Sequence, residues 1–180
     1  MAEELYDSIR LISYGLFILC SRMKGKYNAL IVNTIFQISS NPQMIAVSIC
    51  KDNYTHEFIM KSKVFTASGL STETPLKFIG RFGFKLGKDF DKFKDPLKYE
   101  KFITGMPIIY DYSLGYLEAV VKESVDCGTH TLFIAKVVGG KIFSDSEPLT
   151  YAYYQKHLKG KAPKNASIYF GGIELQKPKS

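Results

Sequence analysis

The stretch Tyr27-Asn28-Ala29-Leu30-Ile31-Val32-Asn33-Thr34-Ile35-Phe36-Gln37-Ile38-Ser39 decides the fold. It is rich in β-branched and aromatic residues, which fit a pleated, half-buried surface. Upstream, residues 12–21 have the same character, and Lys24-Gly25-Lys26 between them reads as a turn. The run at 12–21 and the run at 27–35 therefore predict a hairpin. Downstream, Pro42 leads the apolar segment Met44-Ile45-Ala46-Val47-Ser48-Ile49, where its missing N–H is harmless because the ladder has not begun. Asn33, Thr34, Gln37 and Ser39 bring small hydrogen-bonding groups near the end of one run, and Lys51, Asn53 and Thr55 follow the next. Asn53 or Thr55 can cap a helix reaching about residue 62, and the exposed N–H groups of a helix start favour an anion. Small polar groups and a lysine beside two apolar strands suit a phosphorylated, planar ligand.

Further along, 64–70 reads as a strand. Ser71 or Thr72 can cap a helix with Pro75 in its first turn, Leu76, Ile79 and Phe82 spaced to face a core, and an end near Gly83. Residues 84–100 mix charge, Gly and Pro without either period, which predicts a surface excursion. Segments 113–124 and 131–142 are long strand patterns joined by Val125-Asp126-Cys127-Gly128-Thr129-His130, with the glycine supplying the turn. Long antiparallel pairs of this kind favour a closed or partly open barrel. Residues 151–158 read as a short helix or an aromatic arm, and Pro163 onward as an exposed tail. With 180 residues and no repeat, heptad or linker, a single domain over 1–180 is expected, ending in an extended tail over about 160–180.

Tyr (12) and Phe (13) are numerous and Trp is absent, which suits a β-rich core. The net charge of +7 raises the question of nucleic acid. However, Asp89, Asp91, Asp95 and Glu100 interrupt the lysines of 85–101, so the charge reads as a solvated basic surface that can attract anionic nucleotides. No basic run interleaved with aromatics marks a single-strand groove. Cys20, Cys50 and Cys127 are odd in number and lack any Cys-x-x-Cys pair, so they read as reduced thiols with no metal. Glu3, Glu4 and Asp7 stand where a signal peptide would carry positive charge, and the apolar run at 11–20 is interrupted by Ser13 and Gly15 and too short for a bilayer. A soluble, cytoplasmic protein without membrane or nucleic-acid partners is expected.

Several chemistries are excluded. Gly80, Gly83 and Gly87 lack the Rossmann spacing, and Gly87-Lys88 runs into Asp89 where an NTPase phosphate loop needs Ser or Thr. His56, His130 and His157 lie far apart, with no His-Glu-x-x-His or Gly-x-Ser-x-Gly beside them. What remains is noncovalent binding of a polar, aromatic, anionic molecule.

In the residues quoted above, and in Phe82-Gly83-Phe84 and Gly128-Thr129-His130-Thr131-Leu132-Phe133, the chain closely resembles the flavin reductase-like family of FMN-binding split barrels, which includes the flavoredoxins. The resemblance runs from Ile12-Ser13-Tyr14-Gly15 to Pro148-Leu149-Thr150-Tyr151. It implies a mainly β (α+β) split β-barrel with Greek-key character and a few short peripheral helices. It also implies FMN as cofactor, NADH or NADPH as electron donor, and a homodimer with the flavin near the interface. By the same resemblance Asn33, Thr34, Gln37 and Ser39 line the flavin, while Lys51, Asn53, Tyr54 and Thr55 lie near its phosphate and ribityl chain. His130 would orient ligand or manage a proton, Arg81 would pair with a phosphate or an acidic neighbour, and Phe84 with Phe82 would cover the flavin. Ordinary structural roles stand beside each: strand packing for Thr34, a cap for Asn53, a surface turn for His130, core filling for the two aromatics. One departure is Lys85-Leu86-Gly87, where the family pattern has Arg-Ser-Gly. Two functions follow from the resemblance. One is a reductase moving electrons from NAD(P)H via FMN to free flavin, ferric iron or a redox partner; the alternative is a flavoredoxin-type carrier without its own NAD(P)H site.

Overall fold

In the computed structural model, which describes residues 8, 11–94, 96–164 and 166, the run at 27–39 divides at Asn33 and Thr34 into two strands. β1 (Phe17–Met23) and β2 (Lys26–Val32) make the expected hairpin, though β1 begins later than residue 12. Its turn residues Lys24 and Gly25 both have positive φ, 49° and 77°, the backbone that matches the twist of paired strands. β3 (Ile35–Ser40) and β4 (Gln43–Cys50) form the next hairpin, and β5 (Val64–Leu70) spans the segment expected for it. β8 (Ser113–Cys127) and β9 (His130–Ile142) run longer than expected. Residues 125–127 and His130 join the ladder, so the connection shrinks to Gly128-Thr129, with Gly128 at φ 74°. A separate ribbon of β6 (Tyr99–Lys101) and β7 (Pro107–Ile109) carried no sequence signal.

The main sheet has the strand order β2-β1-β5-β8-β9-β4-β3, and every neighbouring pair is antiparallel. Its two edges, β2 and β3, are consecutive in the chain and joined only by Asn33 and Thr34. From Val32 to Ile35 the chain can advance at most about 10 Å, so the two edges must curl towards each other. The result is a split barrel, and the polar pair Asn33-Thr34 sits at the split. β4 and β5 are successive but not neighbours, because α1 (Tyr54–Ser62) carries the chain across, which gives the Greek-key character.

Period-two alternation explains how β1 serves two cores. Leu19 faces the barrel interior with Val47, Ile59, Phe65, Phe133 and Ala135. Its neighbours Ile18 and Cys20 face outward against Ala29, Ile79, Phe82, Ile109 and Tyr154. The second cluster is covered by α2 (Leu76–Gly83) and α3 (Tyr151–Lys156). Ile79 and Phe82 are buried as their spacing predicts, but Leu76 is 46% exposed. Each three-residue step falls about 60° short of a full turn, which carries Leu76 off the buried face. Neither Ser71 nor Thr72 caps α2. Pro75 holds the N-cap position, and the Thr74 hydroxyl donates to the Ser71 carbonyl in the turn before it.

The excursion at 84–98 crosses the surface as expected, yet it is pinned from within. Lys92 is buried, and its ammonium donates to the carbonyls of Ala29 and Phe82, both at 2.8 Å. Arg81 donates to the carbonyls of Lys92, Lys94 and Pro96. Because Ala29 belongs to an edge strand, this clamp also covers a carbonyl that β1 leaves open. Where the expected tail begins, Lys161 and Lys164 are exposed while Ala162, Pro163 and Ala166 are half-buried. Residues 167–180, like Glu3, Glu4, Asp7 and Asp95, lie outside the described residues. No helix among the described residues is long and apolar enough to cross a membrane.

Candidate functional site

Four elements that end at the split line a cavity that is open to solvent at its mouth. Asn33 and Thr34 come from the crossing between β2 and β3, Ser48 and Cys50 from the end of β4, Asn53 from the start of α1, and His130 from the first residue of β9. Gly83 and Phe84 close one side where α2 stops. The crossing is stitched to β4 in both directions. Thr34 Oγ1 donates to the Ser48 carbonyl at 2.8 Å, and the Ser48 N–H donates to the Thr34 carbonyl at 3.1 Å.

Two polar atoms on this wall have no hydrogen-bond partner among the described residues. Asn33 Nδ2 and His130 Nε2 are both buried and unbonded. The other His130 nitrogen, Nδ1, lies 2.9 Å from the Thr129 hydroxyl. Burial holds the His130 pKa below the usual 6.5, which favours the neutral ring. Leaving a buried donor or acceptor unmet costs about 1–3 kcal/mol. Two such groups on one cavity point to a polar ligand that meets them.

Of the residues the sequence singled out, Asn33, Thr34, Asn53, Phe84 and His130 meet on this cavity. Gln37 and Ser39 do not; they lie beyond it on β3, where Gln37 Nε2 donates to the Ser39 carbonyl at 3.2 Å. Lys51 turns to Asp126 at 2.7 Å, and its own N–H donates to the Thr129 carbonyl, docking the β8–β9 turn. The Lys51 ammonium, with the Gly128 N–H, holds the Asp126 carboxyl below its usual range. Tyr54 packs edge-on against Phe58 at 5.0 Å, and the Lys88 ammonium lies 5.3 Å above its ring. Thr55 is buried within α1. Arg81 is committed to the loop carbonyls described above. Tyr151, Tyr154 and the segment Lys161-Ala162-Pro163 also line the cavity. The aromatic run at 151–158 was the sequence signal nearest to them, and no spacing rule shows that the chain beyond it folds back.

A protein-family model described as Flavin reductase like domain matches residues 9–161. The chain is 43% identical over 159 residues to the Ferric-chelate reductase (NAD(P)H) of Archaeoglobus fulgidus, covering 88% of this chain and 94% of that protein. It is 42% identical over 170 residues to the High molecular weight rubredoxin of Moorella thermoacetica, covering 94% and 74%. Its structure is similar to that of the flavin reductase PheA2 in its native state, with a TM-score of 0.69, 26% identity and 83% and 93% of the two chains covered. It shares the fold of an FMN-binding protein from Thermus thermophilus, with a TM-score of 0.66, 23% identity and 73% and 71% covered. With the family model matched from residue 9 to residue 161, through all the strands described, the chain belongs to the flavin reductase-like domain family.

Proposed function

We propose that the chain is a single-domain, FMN-binding oxidoreductase that moves electrons from NADH or NADPH via FMN to free flavin, ferric iron or a redox partner. The observation that carries this reading is the pair of unmet buried atoms, Asn33 Nδ2 and His130 Nε2, on one open cavity at the split. An amide donor and a neutral imidazole suit the alternating acceptors and donors of an isoalloxazine edge. Phe84, half exposed beside them, offers a face to a planar ring. Asn53, at the start of α1 and on the same cavity, would hold a polar part of the ligand. Bound FMN would supply the hydride-accepting chemistry. The chain's part is to hold and orient ligands and exclude water, a positioning effect that needs no protein nucleophile.

The relative named as a ferric-chelate reductase supports the donor and one acceptor, and the one named as a rubredoxin supports a redox partner protein. We further propose a homodimer with the flavin near its interface, supported by Phe36 and Ile38, which are exposed on edge strand β3. The free cysteines fit a reducing cytoplasm. The rubredoxin relative also favours the alternative, a flavoredoxin-type carrier with no NAD(P)H site of its own. Anaerobic stopped-flow on the FMN-loaded protein separates the two: rapid bleaching by NADH or NADPH supports the reductase. Bleaching only by dithionite or a reduced protein partner supports the carrier.

A further inference from the structure

The two cations that the sequence offers for a phosphate, Lys51 and Arg81, are engaged away from the cavity, one by Asp126 and the other by loop carbonyls. Among the described residues that line the cavity, Lys161 is the one Lys or Arg, and none is Asp or Glu. Its segment has no helix or strand, yet its backbone is fixed. The Gly160 N–H donates to the Tyr154 carbonyl at 3.0 Å, and the Tyr154 hydroxyl donates to the Lys161 carbonyl at 3.1 Å. Tyr154 itself is buried in the outer core. A Cβ at residue 160 would overlap the Tyr154 ring, so only glycine lets the chain pass this close. The anchor uses the Lys161 carbonyl and leaves the ammonium unspent, with no ion pair to it among the described residues.

We propose that Lys161 is the counter-ion for a phosphate monoester bound in this cavity, carried there by the Tyr154–Gly160 anchor. This rests on the reading of the cavity as a flavin nucleotide site and gives that site the charge it otherwise lacks. A cation on a pre-ordered backbone loses less freedom on binding than one on a free tail. The 5′-phosphate of FMN and the 2′-phosphate of NADPH present the same dianion, so the test must tell them apart.

FMN and riboflavin, which differ only by the phosphate, are titrated into wild type, Lys161→Ala, Lys161→Arg and Lys51→Ala, and KM is measured for NADPH and NADH. Loss of one charge-assisted bond corresponds to roughly ten- to hundred-fold. Lys161→Ala should weaken FMN by that factor with riboflavin unchanged, or raise KM for NADPH with NADH unchanged; the arm that moves identifies the phosphate. Lys161→Arg should restore most of the loss, and Lys51→Ala should change either quantity less than Lys161→Ala does. Tyr154→Phe, which frees the Lys161 carbonyl, should reduce the same preference by a smaller factor. Equal weakening of FMN and riboflavin, or no change in either arm, overturns the assignment. Wild-type protein indifferent to both flavins sinks the cofactor reading itself, and the assignment with it.

Discussion

His130 Nε2 is buried without a partner among the described residues while Nδ1 is held by the Thr129 hydroxyl, so the ring is oriented yet keeps one atom for the ligand. His130→Ala should therefore lower turnover more than it lowers FMN retention, as read by kcat beside an FMN titration. An equal loss of both would mark the residue as part of the turn alone. At this scale the sequence was a good guide to residue type. Asn33, Thr34, Asn53, Phe84 and His130, which do line one cavity, were marked by the family resemblance, since short polar and aromatic groups at strand ends and helix starts also have ordinary structural uses. The partners of the cations were not legible. Lys51 meets Asp126 across 75 positions of chain, and a pairing set by the β4–β9 register leaves no local trace.

The excursion after α2 is an element without regular structure whose fixity comes from two cations. Lys92 supplies the ammonium that satisfies one carbonyl in the last turn of α2, that of Phe82, and one of β2, a favourable place for a cation near a helix C-terminus. Burial lowers its pKa to about 8 from 10.5. Its folded pKa lies below the unfolded one, so between about 8 and 10.5 the unfolded chain binds more protons and stability rises with pH. Urea midpoints should therefore increase from about pH 8 to about pH 9 in wild type. Above that the buried Cys20 thiol, pushed up to about 12 from 9.0, holds its proton in the folded chain and offsets the gain. Lys92→Met should remove the rise. The variant should also lose stability near pH 7, by about 1–3 kcal/mol for each carbonyl left unmet. An unchanged slope in Lys92→Met would assign the pH dependence elsewhere. The Lys24-Gly25 hairpin, closed by local contacts, was legible in the sequence, and so was 64–70, whose own run of strand-forming residues marks it although its partners β1 and β8 are distant in the chain. The break at Asn33-Thr34 was not, because an apolar run is cut there by closure of the sheet and not by any residue that ends strands.

For the molecule as a whole, closure decides where function can lie. A sheet whose edge strands are joined by two residues must curl, and its split gathers the ends of β2, β4, β9 and α2 around one opening. The barrel class was legible from the long 113–142 hairpin. The return of the C-terminal segment to the cavity was not, since it depends on a single ring, Tyr154, and on a glycine that lets the chain cross it. Whether this opening holds FMN is read from the absorbance spectrum of the protein after incubation with FMN and removal of unbound flavin. Flavin bands that stay with the protein are the expected result, and a colourless protein would contradict the account.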